Sequence, residues 1–172
     1  MDASGNRVIR VLKHRWRDAR DSRRALGDAG LQALQSRVAK SERAHTGEIR
    51  ICVEAGLPLS YLWRRASARE RAVMLFGKLR VWDTHHNNGV LIYLLLADHR
   101  IEIVADRGLN ALVPQTQWAE VAARMAQAFA KNQFAEGLSA AVDEVHALLA
   151  AHFPASPGAP NPNELPDTVV LI

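Results

Sequence analysis

Disulfides, membrane spans and the usual metal motifs are all missing from this chain of 172 residues. Its single cysteine, Cys52, cannot build a disulfide framework and fits a reducing compartment, so the cytoplasm is the expected location. The longest apolar run, near residues 90–97, falls well short of the ~20 residues that a bilayer span needs. The N-terminal stretch has basic residues but no apolar segment with a small-residue cleavage site, and so does not read as a secretory signal. No His-Glu-x-x-His or paired-cysteine spacing offers a zinc site, and Asp106-Arg107-Gly108 lacks the glycine spacing of a nucleotide loop. Aromatic residues make up only 6% of the chain, and its four tryptophans read as core or rim packing. No specific nucleic-acid recognition is indicated.

What is present is ordinary globular composition, 48% hydrophobic and 23% charged, in a length suited to one domain. The formal charge of +4 is unevenly spread. Arg7, Arg10, Lys13, Arg15, Arg17, Arg20, Arg23 and Arg24 crowd the start, against Asp18 and Asp21. Residues 1–27 therefore read as a basic arm, either solvated or able to touch an anionic membrane surface, with Trp16 pinning it to the domain.

The domain proper reads as residues 28–153. Asp28 is a plausible cap for a helix over about 29–44 carrying Leu31, Leu34 and Val38. Alternation of Ile49, Ile51 and Val53 predicts a strand over 48–54. Ser67-Ala68-Arg69-Glu70 is a capping box opening a helix to about residue 80, with Val73, Phe76, Leu79 and the intervening Ala72 and Leu75 as its apolar face. The near-continuous apolar run Gly89–Leu96 predicts a strand covered on both faces. The order strand, helix, strand makes a βαβ unit with parallel strands. Ala97–Arg100 is turn-forming, and Ile101, Ile103 and Ala105 alternate as an antiparallel hairpin partner. Pro114 precedes a helix to about Asn132 with Trp118, Val121, Met125 and Phe129 inward. A last helix, about 135–151, carries Leu138, Val142, Val145, Leu148 and Leu149. Residues 154–163 read as a Pro-rich linker, and 164–172 as a tail or edge strand.

This topology brings one set of loops together. Both parallel strands begin at the edge where the hairpin strand ends. Glu42, His45, Thr46, Gly47 and Glu48 should therefore gather near His85, His86, Asn87 and Asn88, with Asp106, Gly108 and Asn110 joining them and Arg107 at the margin. An oxygen-rich set built on Glu42, Glu48 and Asp106 suits Ca²⁺ or Mg²⁺. The same residues also suit a structural reading, with Glu42 in an ion pair, Asn88-Gly89 in a turn and Asp106 capping 107–110. Cys52 lies mid-strand and reads as a buried inert thiol, while His14 and His152 have no evident partner.

At these positions the chain resembles the TPM domain family, which includes a thylakoid-lumen photosystem II repair protein, and it is similar in pattern to the short soluble bacterial branch. The resemblance rests on Ser41-Glu42, His45-Thr46-Gly47-Glu48-Ile49, Arg71-Ala72 with Phe76 and Leu79, Val81–Thr84, Asn88–Tyr93 and Asp106-Arg107-Gly108. Trp118, Phe134 with Gly137-Leu138, Phe153-Pro154 and Asn163–Asp167 extend it over about residues 28–168. It implies a three-layer α/β sandwich with a mixed sheet and helices on both faces. It also implies divalent-cation binding at the acidic edge in some members, a proposed acid phosphatase activity in others, and partnership with a LemA-type membrane protein. Secreted members continue the glycine turn as Gly-Leu-Glu; here it is Gly108-Leu109-Asn110, which implies weaker cation binding. Two functions follow as expectations: a binding module with a membrane-associated partner, or a metal-dependent phosphatase.

Overall fold

Strand β2 (Val90–Leu95) is buried at every position, which explains its unbroken apolar sequence. In the computed structural model, which describes His14, residues 18–156, Gly158 and residues 161–172, it lies at the centre of a four-stranded mixed sheet. On one side β1 (Ile49–Glu54) runs parallel, with Ile49 opposite Val90 and Glu54 opposite Leu95. On the other side β3 (Arg100–Ala105) runs antiparallel, with Ala105 opposite Val90. A 3₁₀ turn (Leu96–Asp98) and His99, at φ 49°, close this hairpin. Beyond β1, Val170–Leu171 forms a parallel edge strand, β4, so the C-terminal segment joins the sheet. Arg7, Arg10, Lys13, Arg15, Trp16 and Arg17 of the basic arm lie outside the described residues.

Side chains alternate between two cores, as period-two strands require. Ile49, Ile51, Val53, Ile92, Leu94, Ile101 and Ile103 face one core, completed by α1 (Ala19–Ser41), α5 (Gln115–Ala130) and α6 (Phe134–His152). Cys52, Leu91, Tyr93, Leu95 and Val104 face the other, covered by α2 (Leu59–Trp63) and α3 (Ala68–Lys78). The result is a three-layer α/β sandwich. A short helix, α4 (Arg107–Asn110), follows β3.

Two helices differ from the sequence reading. Helix α1 starts at Ala19, capped by Asp18 in a capping box with Asp21, and buries Ser22 and Leu26. Part of the apparent arm is thus built into the domain. Gly27 kinks this helix at φ 69°, and Asp28 bonds to Arg23 Nε at 2.8 Å. The capping box at Ser67 and Glu70 forms as expected, and α3 buries Ala72 and Leu75 of the expected face together with Ala68, with Phe76 and Leu79 packed against the same core, but Val73 is 51% exposed. The sheet face beneath carries Leu91, Tyr93 and Leu95, and such large side chains leave room for alanines. Helices α5 and α6 bury the residues expected of them, from Trp118 to Phe129 and from Leu138 to Leu149.

A polar network under α3 is fully paired. Glu54 accepts two bonds from Arg71 Nε, at 2.9 and 3.1 Å, one from Arg71 Nη2 at 2.6 Å and one from Tyr93 Oη at 2.6 Å. Nearby, burial pushes the Cys52 thiol up to about 12, as an inert core cysteine requires. His14 is buried: Nδ1 accepts from the Leu57 amide, so Nε2–H faces Asp98 Oδ1 at 3.1 Å. No helix among the described residues is long and apolar enough to cross a membrane.

Candidate functional site at the sheet edge

The edge where β1 and β2 begin and β3 ends is held together by close backbone approach. A Cβ on Gly89 would overlap the Val81 carbonyl oxygen, and one on Gly108 would lie 2.6 Å from the Asn87 carbonyl oxygen. Asn87 itself adopts φ 53°, a conformation that asparagine tolerates better than most residues. The Asp106 amide donates to Gly89 O at 2.9 Å and the Gly108 amide to Asn87 O at 2.9 Å. Asp106 therefore returns beside Asn87, Asn88 and Gly89, as the hairpin register predicts.

Asp106 caps α4, with Oδ1 accepting from the Arg107 amide at 2.7 Å. Its Oδ2 is buried without a hydrogen-bond partner. Asn88 is wholly buried: its amide donates to Thr84 Oγ1 at 3.1 Å and Nδ2 donates to Thr46 Oγ1 at 3.2 Å. Its Oδ1 is also without a partner. Arg107 Nε donates to Asn87 Oδ1 at 3.1 Å, and the Asn110 amide donates to the Asp106 carbonyl at 2.8 Å.

A second group gathers at the end of α1 and the start of β1. Glu42 caps α1 and accepts from the Ile49 amide at 2.9 Å. Burial, with the Glu48 and Asp167 carboxylates adding repulsion, pushes Glu42 up to about 8. The two oxygens of Glu48 take the Glu164 and Leu165 amides, each at 3.1 Å, and burial raises this carboxyl as well. Asn161 Nδ2 donates to the carbonyls of Glu42, at 2.8 Å, and His45, at 3.0 Å. The segment that reads as linker and tail thus packs back onto the first connection.

His45 is wholly buried behind these residues, bonded through Nδ1 to Gly47 O at 2.9 Å and through Nε2 to Ser41 Oγ at 2.9 Å. Burial and the neighbouring His146 lower it to about 4, so it is held neutral.

The candidate residues therefore fall into two groups along one edge. Glu42 and Glu48 join Glu164 and Asp167 from the tail, whereas Asp106 joins Asn88, Asn87 and Arg107. The Thr46–Asn88 bond links the first connection to the second. Among the described residues, no three or more His, Cys, Asp or Glu side chains converge on one metal position. Sequence reasoning missed Thr84, Asn161, Glu164 and Asp167 as members of the edge. The apolar end of the tail signalled docking, but nothing local signals where Glu164 lands.

A mixed four-stranded sheet between two helical layers, with polar loops gathered at one edge, defines the class of protein. The TPM domain model matches residues 19–148, and the chain belongs to that family. The NMR structure of the BA42 protein from the psychrophilic bacterium Bizionia argentinensis is similar, with a TM-score of 0.73 and 26% identity over 84% of this chain and 94% of that one. The N-terminal domain of a P. gingivalis protein, solved by solution NMR, shares the fold at a TM-score of 0.62 and 21% identity, over 74% and 78% of the two chains. A search of curated proteins found no match.

Proposed function

We propose that this TPM domain is a binding module carrying a weak divalent-cation site at the sheet edge and serving a membrane-associated partner. The observation that carries the cation reading is the pair of buried oxygens without donors, Asn88 Oδ1 and Asp106 Oδ2. Buried polar atoms are almost always satisfied, and a carboxylate and an amide oxygen left open at a loop edge are the ligands that hard cations choose. Asp106 supplies the charge, and Asn88 the neutral oxygen. Glu42 and Glu48 lie along the same edge and add negative potential, although Glu48 already accepts two amides. Asn110, an amide where secreted relatives carry a carboxylate, removes one charge from the set. Affinity on the order of 10⁻⁴–10⁻³ M suits such a low-charge site. A LemA-type membrane protein is the partner that the family resemblance suggests, and the basic residues before α1 favour an anionic surface.

Because a cation would bind only the folded form, millimolar Ca²⁺ or Mg²⁺ should raise the melting temperature in a concentration-dependent way. The comparison is wild type against Asp106→Asn and Glu42→Gln, with the largest loss of shift in Asp106→Asn. Equal shifts in all three, or none in wild type, would leave these carboxylates as caps. Turnover of a generic phosphomonoester with Mg²⁺ by wild type, abolished in Asp106→Ala, would replace the module with a metal-dependent phosphatase.

A further inference from the structure

Between α1 and α6 lies a cavity of about 550 Å³ lined by Arg37, Lys40, Ser41, Asp143 and His146 among others. Its polar floor is a chain of hydrogen bonds whose direction can be worked out. The Gly47 carbonyl can only accept, so His45 Nδ1 carries the proton in their 2.9 Å bond. His45 is neutral, so its Nε2 presents a lone pair and Ser41 must donate its hydroxyl proton there, at 2.9 Å. Ser41 Oγ then has only lone pairs to offer His146, and the 3.1 Å contact requires His146 Nδ1 to be the donor. The nitrogen left to His146 is Nε2. Protonation there adds a donor to the cavity without breaking any bond of the chain, since Nδ1–H is retained.

Two readings of this arrangement compete. A serine bonded to histidine has the look of an activated nucleophile, but Ser41 is only 6% exposed and its oxygen already receives the His146 proton. The cationic side chains decide the matter. Arg37 uses a single nitrogen, Nη1, on Asp143, at 2.6 and 2.7 Å from the two carboxylate oxygens, which leaves the rest of its donor fork. Lys40 has no ion-pair partner among the described residues. The charged groups facing His146 are therefore Arg37 and Lys40 on α1 and Asp143 on its own helix, with His45 neutral behind Ser41. The balance is one positive charge, rising to two when His146 takes a proton.

We propose that this cavity binds a tetrahedral oxyanion, the phosphate or sulfate group of a small molecule, through Arg37, Lys40 and His146 Nε2–H. Three donors lining one cavity suit a tetrahedral group better than a planar carboxylate, and the volume exceeds that of a bare ion. An oxyanion held at His146 Nε2 needs a proton there, so binding takes up a proton and affinity rises as the pH falls.

Titration of the full chain with sulfate, followed by NMR of the His146 ring and the α1 amides, tests this. Sulfate keeps its charge between about pH 6 and 8, so any pH effect belongs to the protein. The expected result is saturable shifts at these residues, tighter at the lower pH. Arg37→Ala and Lys40→Ala, both at exposed positions, should each weaken binding about tenfold, as loss of one charge-assisted contact implies. His146→Gln should flatten the pH dependence. Shifts that do not saturate, or that persist unchanged in Arg37→Ala and Lys40→Ala, would overturn the site. A pH dependence kept in His146→Gln would overturn the role of that histidine. Glycerol 3-phosphate should bind more tightly than inorganic phosphate; equal binding would overturn the small-molecule part of the proposal.

Discussion

Replacing Glu42 by Gln should flatten the pH dependence of stability, and the structure sets the size and sign of the effect. In the folded protein, burial, helped by the Glu48 and Asp167 carboxylates, raises Glu42 from about 4.5 to about 8. The folded state therefore holds this proton more tightly than the unfolded chain does. Its stabilising contribution is complete below about pH 4.5 and is lost as the pH rises through about 8. The full difference would correspond to an upper bound of about 5 kcal/mol. Glu42 is partly exposed and shares its repulsion with Glu48, so a loss of about 1–3 kcal/mol is the reasonable expectation. Glutamine keeps the oxygen that accepts from the Ile49 amide and has no proton to lose, so it isolates the titration from the hydrogen bond. Urea denaturation of both proteins with a chelator present, at about pH 5, 7 and 8.5, measures the difference. His45, held neutral by burial, works in the opposite sense at the acid end, where its contribution is lost as the pH falls toward 4. That effect is common to both proteins and cancels in the comparison. Parallel pH curves for wild type and Glu42→Gln would show that the carboxyl is not perturbed and that the acidic edge is more open than described.

Two further substitutions test the architecture. Leu75→Ala, at 2% exposure in the core under α3, should cost about 2–5 kcal/mol in chemical denaturation, whereas Val73→Ala, at 51% exposure, should stay within about 0.5 kcal/mol. A reversed order would put Val73 in the core and Leu75 outside it, against this packing. Arg71→Ala leaves the buried Glu54 carboxylate without its main partner and should cost about 3–5 kcal/mol near neutral pH, while the double variant Arg71→Ala with Glu54→Gln should recover part of that loss in the same assay.

Much of this fold was legible because its strongest signals are local. The apolar run at Gly89–Leu96 marks a strand with neighbours on both sides and helices on both faces. The Ser67–Glu70 box, Pro114 and the stripe Trp118–Phe129 each report their own helix. Helix α3 was legible in Ala72, Leu75, Phe76 and Leu79 but not in Val73, which shares their apolar spacing and points outward. The bulk of Leu91, Tyr93 and Leu95 on the sheet beneath sets how much of that stripe is covered. At the edge, pairing of Val90 with Ala105 follows from the hairpin and so brings Asp106 to Gly89. The split between Asp106 and the two glutamates was not legible, since Glu48 is engaged by the amides of Glu164 and Leu165, more than a hundred residues away in sequence. The link from Ser41 to His146 was invisible for the same reason.

The most direct measurement of the cation claim is the response of the Asn88 side-chain amide to Ca²⁺ and Mg²⁺ in ¹H–¹⁵N spectra of the full chain. Coordination through Oδ1 should shift both Nδ2 protons saturably at millimolar cation, with the Arg107 amide moving in step because it bonds to Asp106 Oδ1. Asp106→Asn should weaken that response about tenfold or more, in keeping with loss of the site's carboxylate ligand. A spectrum in which Asn88 and Arg107 are unmoved, with changes confined to Glu42, Glu164 and Asp167, would contradict the claim that the two open oxygens form the site.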